Sequence, residues 1–255
     1  METSWRKTGS RIVGGAILAG CLLAVADVGV AGTTAGARGD DSRREAARSN
    51  AGRTLRHHGS GSPLLAQWSQ RWSRWFVSIP LNVNPIKDTA GTQCGVNQEG
   101  PVWFINGPGG TNTLQCTIPF GKALFGPVAG YLNDYPCPEP EPPLPPFQPA
   151  PGQTIEDFLS EGAQQIVDEF VTGAEATLDG EPLQLFRVSS GLFSFTAAAD
   201  LQGIDACVTG SPQLGVTDGY FFFVQGLPPG DHTLRIRSVF GGAPTDNIFH
   251  LKVVR

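Results

Sequence analysis

Three kinds of pattern are missing from this chain, and each absence removes a class of activity. No two cysteines are spaced as C-x2-C, and beyond residue 61 the only histidines are His232 and His250, so a closed zinc site of thiolates and imidazoles has no ligand set. There is no G-x-S-x-G elbow, no H-E-x-x-H, no G-x-x-x-x-G-K-S/T and no G-x-G-x-x-G opening a helix, so the commonest signatures of hydrolases and nucleotide-binding enzymes are lacking. The apolar run 12–26 is too short, and too broken by Gly14, Gly15 and Gly20, for a comfortable membrane span. Basic residues are scarce in the body. Residues 76–255 carry seven Lys and Arg against eighteen Asp and Glu, a net charge of -11, and nucleic-acid affinity comes mainly from Lys and Arg neutralising phosphates.

What is present begins with an export signal. Arg6, Lys7 and Arg11 precede the apolar run, which closes on Ala24-Val25-Ala26, so residues 1–26 read as a cleaved signal segment. A second reading is open at Leu18-Ala19-Gly20-Cys21, which has the form of a bacterial lipoprotein signal whose cysteine is lipidated. Contact with a membrane is expected only through that segment or through lipidated Cys21. Either way the protein is expected to be secreted, periplasmic or in the cell envelope. There an even number of distal cysteines implies disulfides. The favoured pairs are Cys94 with Cys116 and Cys137 with Cys207, out of three possible connectivities.

Residues 27–61 are rich in Gly, Ala, Arg and Ser and lack large apolar side chains, which predicts a disordered basic tether; from 27 to 75 there are eight basic and four acidic residues. Residues 62–255 are predicted to form one β-rich globular domain with a proline-rich extended insertion at 136–152. A helix opens at Ser62-Pro63, with Leu65, Trp68, Trp72, Trp75 and Phe76 at helical spacing, and ends before Pro80. The tryptophan stripe suits a buried face better than a sugar platform or a membrane anchor. Thr154 to Asp157 starts a second helix with a capping-box-like pattern, burying Ile155, Phe158, Leu159, Ile166, Val167 and Phe170.

Strands are predicted at 102–105, 114–118, 123–128, 174–178, 183–188, 192–196, 204–209, 220–225, 233–239 and 249–254. Turns are predicted at Asp179-Gly180, Asp218-Gly219 and Pro228-Pro229-Gly230, and Asp246 is also placed at a turn. In 233–240, Leu234, Ile236, Ser238 and Phe240 face one way and Arg235, Arg237 and Val239 the other, so one side is buried and one is wet. The fold class is mainly β, a β-sandwich or jelly-roll-like domain with two packed amphipathic helices.

Chemistry is sparser. Asp88, Asp134, Glu139, Asp205 and Asp218 offer carboxylates for a glycosidase-type pair, but at no diagnostic spacing. Calcium held by Asp88 and Asp134 is a further option, without an EF-hand pattern. No metal site or cofactor is assigned. The binding candidates are Asp88, Trp103, Asp134, Tyr135 and Asp218, with Trp103 also suited to a core role.

Trp75-Phe76-Val77-Ser78-Ile79-Pro80 is followed by Asn84-Pro85, Asp88, Gly91, Cys94 and Gln98-Glu99-Gly100-Pro101-Val102-Trp103-Phe104. Further on come Cys116-Thr117-Ile118-Pro119, Gly121-Lys122-Ala123-Leu124-Phe125, Asn133-Asp134-Tyr135-Pro136-Cys137-Pro138, Asp218-Gly219-Tyr220 and Leu227-Pro228-Pro229-Gly230 with His232-Thr233. On these residues the chain resembles a group of exported bacterial proteins with no assigned activity. The resemblance implies export and a predominantly β fold, and it carries no catalytic residue. The expected function is a non-catalytic binding or envelope-associated module that recognises an extracellular glycan or cell-envelope component. A polysaccharide-acting hydrolase with a loop carboxylate pair is the alternative.

Overall fold

The computed structural model describes residues 62–138 and 147–255. The signal segment, Cys21, the basic tether and residues 139–146 of the proline-rich insertion, with the candidate carboxylate Glu139, lie outside these residues.

Strands alternate with turns because glycine, proline and Asx residues punctuate short apolar runs, and they assemble into two five-stranded sheets. The inner sheet runs β1 (Val102–Phe104), β3 (Ala123–Tyr135), β8 (Pro212–Val224), β6 (Leu185–Ser189), with β7 (Phe193–Thr196) also paired to β8. The outer sheet runs β2 (Thr111–Pro119), β10 (Ala243–Val254), β9 (Gly230–Phe240), β4 (Val171–Leu178), β5 (Glu181–Pro182). Each sheet contains one parallel pair, β1 with β3 and β2 with β10; the other pairings are antiparallel.

Helix α1 (Pro63–Ser78) covers one face of the inner sheet. Its apolar positions recur every third or fourth residue, so Leu65, Trp72, Trp75 and Phe76 meet Phe125, Phe221 and Phe193 in a single cluster. Trp72 is fully buried, stacks on Phe76 and donates from Nε1 to Ile105 O at 3.1 Å. The tryptophans serve the core, with Trp68 half-buried at its edge. The Ser62 side chain makes no cap; its carbonyl accepts from Leu65 and Ala66 instead.

The opposite face of the inner sheet packs on the outer sheet through Leu124, Val216, Phe222, Leu234, Ile236 and Phe249. Helix α2 (Ile155–Phe170) lies on that same side against β3 and β8, adding Leu159, Ala163 and Val167. Its first turn is capped by Thr154, whose hydroxyl accepts from the Asp157 amide and donates to the Asp157 carboxylate. Gly162 leaves room for Asn133, which donates to Leu159 O at 3.0 Å; a Cβ at 162 would lie 2.5 Å from that amide. Disulfides join Cys94 to Cys116 and Cys137 to Cys207. Among the described residues no helix is long and apolar enough to cross a membrane.

Four expectations are corrected. Strand β3 runs on to Tyr135, so Asn133-Asp134-Tyr135 is strand rather than loop, because β8 pairs with it as far as Tyr135 and α2 packs against it. Asp218-Gly219 is not a turn but the middle of β8: a Cβ at 219 would lie 2.5 Å from Ala129 O and from Gly130 Cα, so glycine is required by close strand approach. Residues 204–209 form no strand; a short 3-10 turn (Ala199–Gly203) and bends carry Leu201, Cys207 and Val208 into the core. Asp246 lies inside β10, where it pairs with Arg235.

Candidate binding face and buried acid clusters

The residues singled out in the sequence do not meet. Asp88 organises its own loop: its carboxylate accepts from the amides of Ala90, Gly91 and Gln93 and from the Thr92 hydroxyl. Trp103 is buried between the sheets, and its Nε1 has no acceptor among the described residues. Tyr135 packs edge-on against Phe158. Asp134 and Asp218 sit on paired strands, where Asp134 opposes Gly215 and Asp218 opposes Tyr131. Asp134 turns toward Gln213 and the Cys137–Cys207 bridge, while Asp218 turns toward Arg187 and α2.

Two buried acid clusters result. Arg187 on β6 ion-pairs with buried Asp218 and reaches the exposed Asp168 of α2 at 3.1 Å, with its guanidinium over the Tyr220 ring. Burial raises the Asp218 carboxyl to about 6, and the Arg187 charge holds it from going higher. In the second cluster Asp134 and Asp205 offer carboxylate oxygens within 4.8 Å of each other and of the Cys207 sulfur. That sulfur is bonded to Cys137 and supplies no thiolate. Gln213 Nε2 donates to Asp134 at 3.0 Å, to Pro136 O and to Cys207 O, and the Cys207 amide donates to Asp205 at 3.0 Å. Burial pushes both carboxyls well above the ordinary carboxylate range, and the Asp205 charge adds to the rise at Asp134. Both are closed from solvent, at 2% and 8% exposure, so a polymer chain cannot reach them.

The open surface is elsewhere. Side chains alternate along a strand, so the outer sheet turns Leu234, Ile236, Phe249 and Leu251 inward and presents a polar face outward. Across that face the register sets Thr111, Asp246, Arg237 and Glu175 in one row, and Thr113, Ile248, Arg235 and Thr177 in the next. Arg237 Nη2 donates to Glu175 at 2.5 Å, and Arg235 is bidentate on Asp246 at 2.8 and 2.6 Å. Hydrogen bonding from Arg235 holds the Asp246 carboxyl below its usual range.

Beside these pairs lies a shallow open depression of about 250 Å³, lined by Gly173, Glu175, Arg237, Val239, Pro244 and Asp246 among others. Gly173 makes the hollow: it follows a break in the β4–β9 register and lacks a side chain beside Val239. A Cβ there would touch Val239 at 3.4 Å, an ordinary contact. The hydrophobic alternation of 233–240 already turned Arg235 and Arg237 outward; Gly173 and Glu175 had no sequence pattern of their own. No family model, no curated protein and no solved structure matches the chain.

Proposed function

We propose that this chain is an exported, disulfide-braced β-sandwich module that binds a polar envelope polymer, a neutral glycan, through the outer face of the outer sheet. One observation carries the reading. Of the four sheet faces, this is the one that no other layer of the described residues covers, since α1 takes one side of the inner sheet and the two inner faces take each other and α2. The face offers donors and acceptors already fixed in pairs, Glu175 with Arg237 and Asp246 with Arg235. A guanidinium flanked by carboxylates has little net attraction for an anion but can exchange hydrogen bonds with vicinal hydroxyls. Val239 and Pro244 add apolar surface for the C–H side of a sugar ring. The two disulfides suit an oxidising compartment.

A glycan array with purified cell-wall polysaccharides tests this, using wild type, Gly173→Leu and Arg237→Ala. Gly173→Leu fills the hollow without positive-φ strain and is expected to abolish binding, and Arg237→Ala to weaken it about tenfold or more, equivalent to about 1.4 kcal/mol. Equal binding by all three proteins overturns the assignment. Polysaccharide turnover that disappears in Asp134→Asn replaces it with the hydrolase.

A further inference from the structure

We propose that Asp134 and Asp205 share a single proton, and that this proton latches the 199–211 segment onto the inner sheet, so that closure of the segment depends on pH. The two carboxyls come from different elements, Asp134 from β3 and Asp205 from the segment that carries Cys207. They lie within 4.8 Å in a closed site, and among the described residues neither makes an ion pair. Two like charges so placed, without a cation, cannot both persist out of water.

The surroundings supply hydrogen bonds, from Gln213 Nε2 to Asp134 and from the Cys207 amide to Asp205, but no positive charge. From β8 the facing group is Gln213, a neutral amide whose oxygen is already taken by the Thr209 amide and hydroxyl. From β3 it is the Tyr131 phenol, which burial and the two aspartates keep protonated. The Cys137–Cys207 bridge is neutral. Asp200, the other acid of the segment, faces solvent and accepts from the Leu81 amide. The segment is otherwise tied to α1 and the core through Ala198 N–H to Val77 O and through Leu201 and Val208.

The proton balance is simple. Closed, the pair carries one proton and one negative charge over its two carboxyls; opened, both carboxyls enter water, ionise, and release the proton. Opening is therefore favoured as pH rises from the ordinary carboxylate range to the raised range of the pair, and is independent of pH beyond it. The covalent bridge keeps the segment tethered through Cys207 while it opens.

Hydrogen exchange of the Cys207, Val208 and Thr209 amides in the disulfide-intact protein tests the latch, because all three are bonded within the segment or to Gln213. After correction for intrinsic exchange, opening is expected to increase by up to tenfold per pH unit between pH ~5 and ~7 in wild type. Asp134→Asn, which carries a permanent donor in the place of the shared proton, is expected to flatten the profile; Asp205→Asn, which keeps an acceptor for the Cys207 amide, serves if the first variant does not fold. Carboxyl 13C titration of wild type needs no variant: one proton of the pair is expected to remain bound past the ordinary carboxylate range. A flat wild-type profile, an equal slope in a folded variant, or two carboxyls ionising together in acid overturns the proposal.

Discussion

The two sheets of this protein are built from equal numbers of strands but work under opposite constraints. Strand β3 of the inner sheet is buried from Leu124 to Asp134, because α1 lies on one side and the outer sheet with α2 on the other. Strand β10 of the outer sheet alternates, with Thr245, Asn247, Phe249, Leu251 and Val253 buried and His250, Lys252 and Val254 exposed. A sheet covered on both faces can change little without loss of packing, whereas a half-wet sheet leaves every second residue free for recognition. Under the proposed function, structure and contact are divided between the layers.

The largest way to break that division is Trp72→Ala, which removes a fully buried ring stacked on Phe76 and the bond to Ile105; a loss of about 3–5 kcal/mol is expected in chemical denaturation. Replacing Cys137 and Cys207 together by serine is expected to cost about 2–4 kcal/mol, read from the same curves under non-reducing conditions. Gly219→Ala forces β3 and β8 apart and is expected to cost about 1–3 kcal/mol, seen as a lower midpoint with unchanged m-value.

Asp218 sharpens the comparison through pH. Its carboxyl is raised to about 6, so the folded protein binds a proton more tightly than the unfolded chain; this stabilisation is full below the ordinary carboxylate pKa and is lost as pH rises to about 6, with no further change above. Urea midpoints measured from pH ~4 to ~7 are expected to fall more steeply in wild type than in Asp218→Asn. The smallest effect belongs to the wet face: Arg237→Ala is expected to shift stability by no more than about 0.5 kcal/mol, because exposed ion pairs contribute little.

Much of this architecture is readable in the residues. The 3.6-residue spacing of Leu65, Trp72 and Phe76 and the alternation of Leu234, Ile236 and Ser238 each name a buried face. What escaped the sequence has physical causes. Asp218-Gly219 has turn chemistry, yet the glycine is demanded by a neighbouring backbone 89 positions earlier in the chain, at Gly130. Residues 204–209 look strand-like because a loop packed under α1 needs the same apolar side chains that a strand would bury. Asp134 looks like a loop acid because its cover comes from Gln213 of β8 and from the segment carrying Asp205 and Cys207, far away in sequence. Gly173, which shapes the depression, is one of 33 glycines, and only the register of β4 against β9 distinguishes it.

Amide chemical-shift mapping with a solubilised wall polysaccharide tests the division of labour most directly. Perturbations are expected to concentrate at residues 173–175, 235–239 and 244–248, with the Asp88 loop and the inner-sheet residues around Asp134 and Asp218 unmoved. Shifts centred on those three aspartates, with the outer face silent, would contradict it.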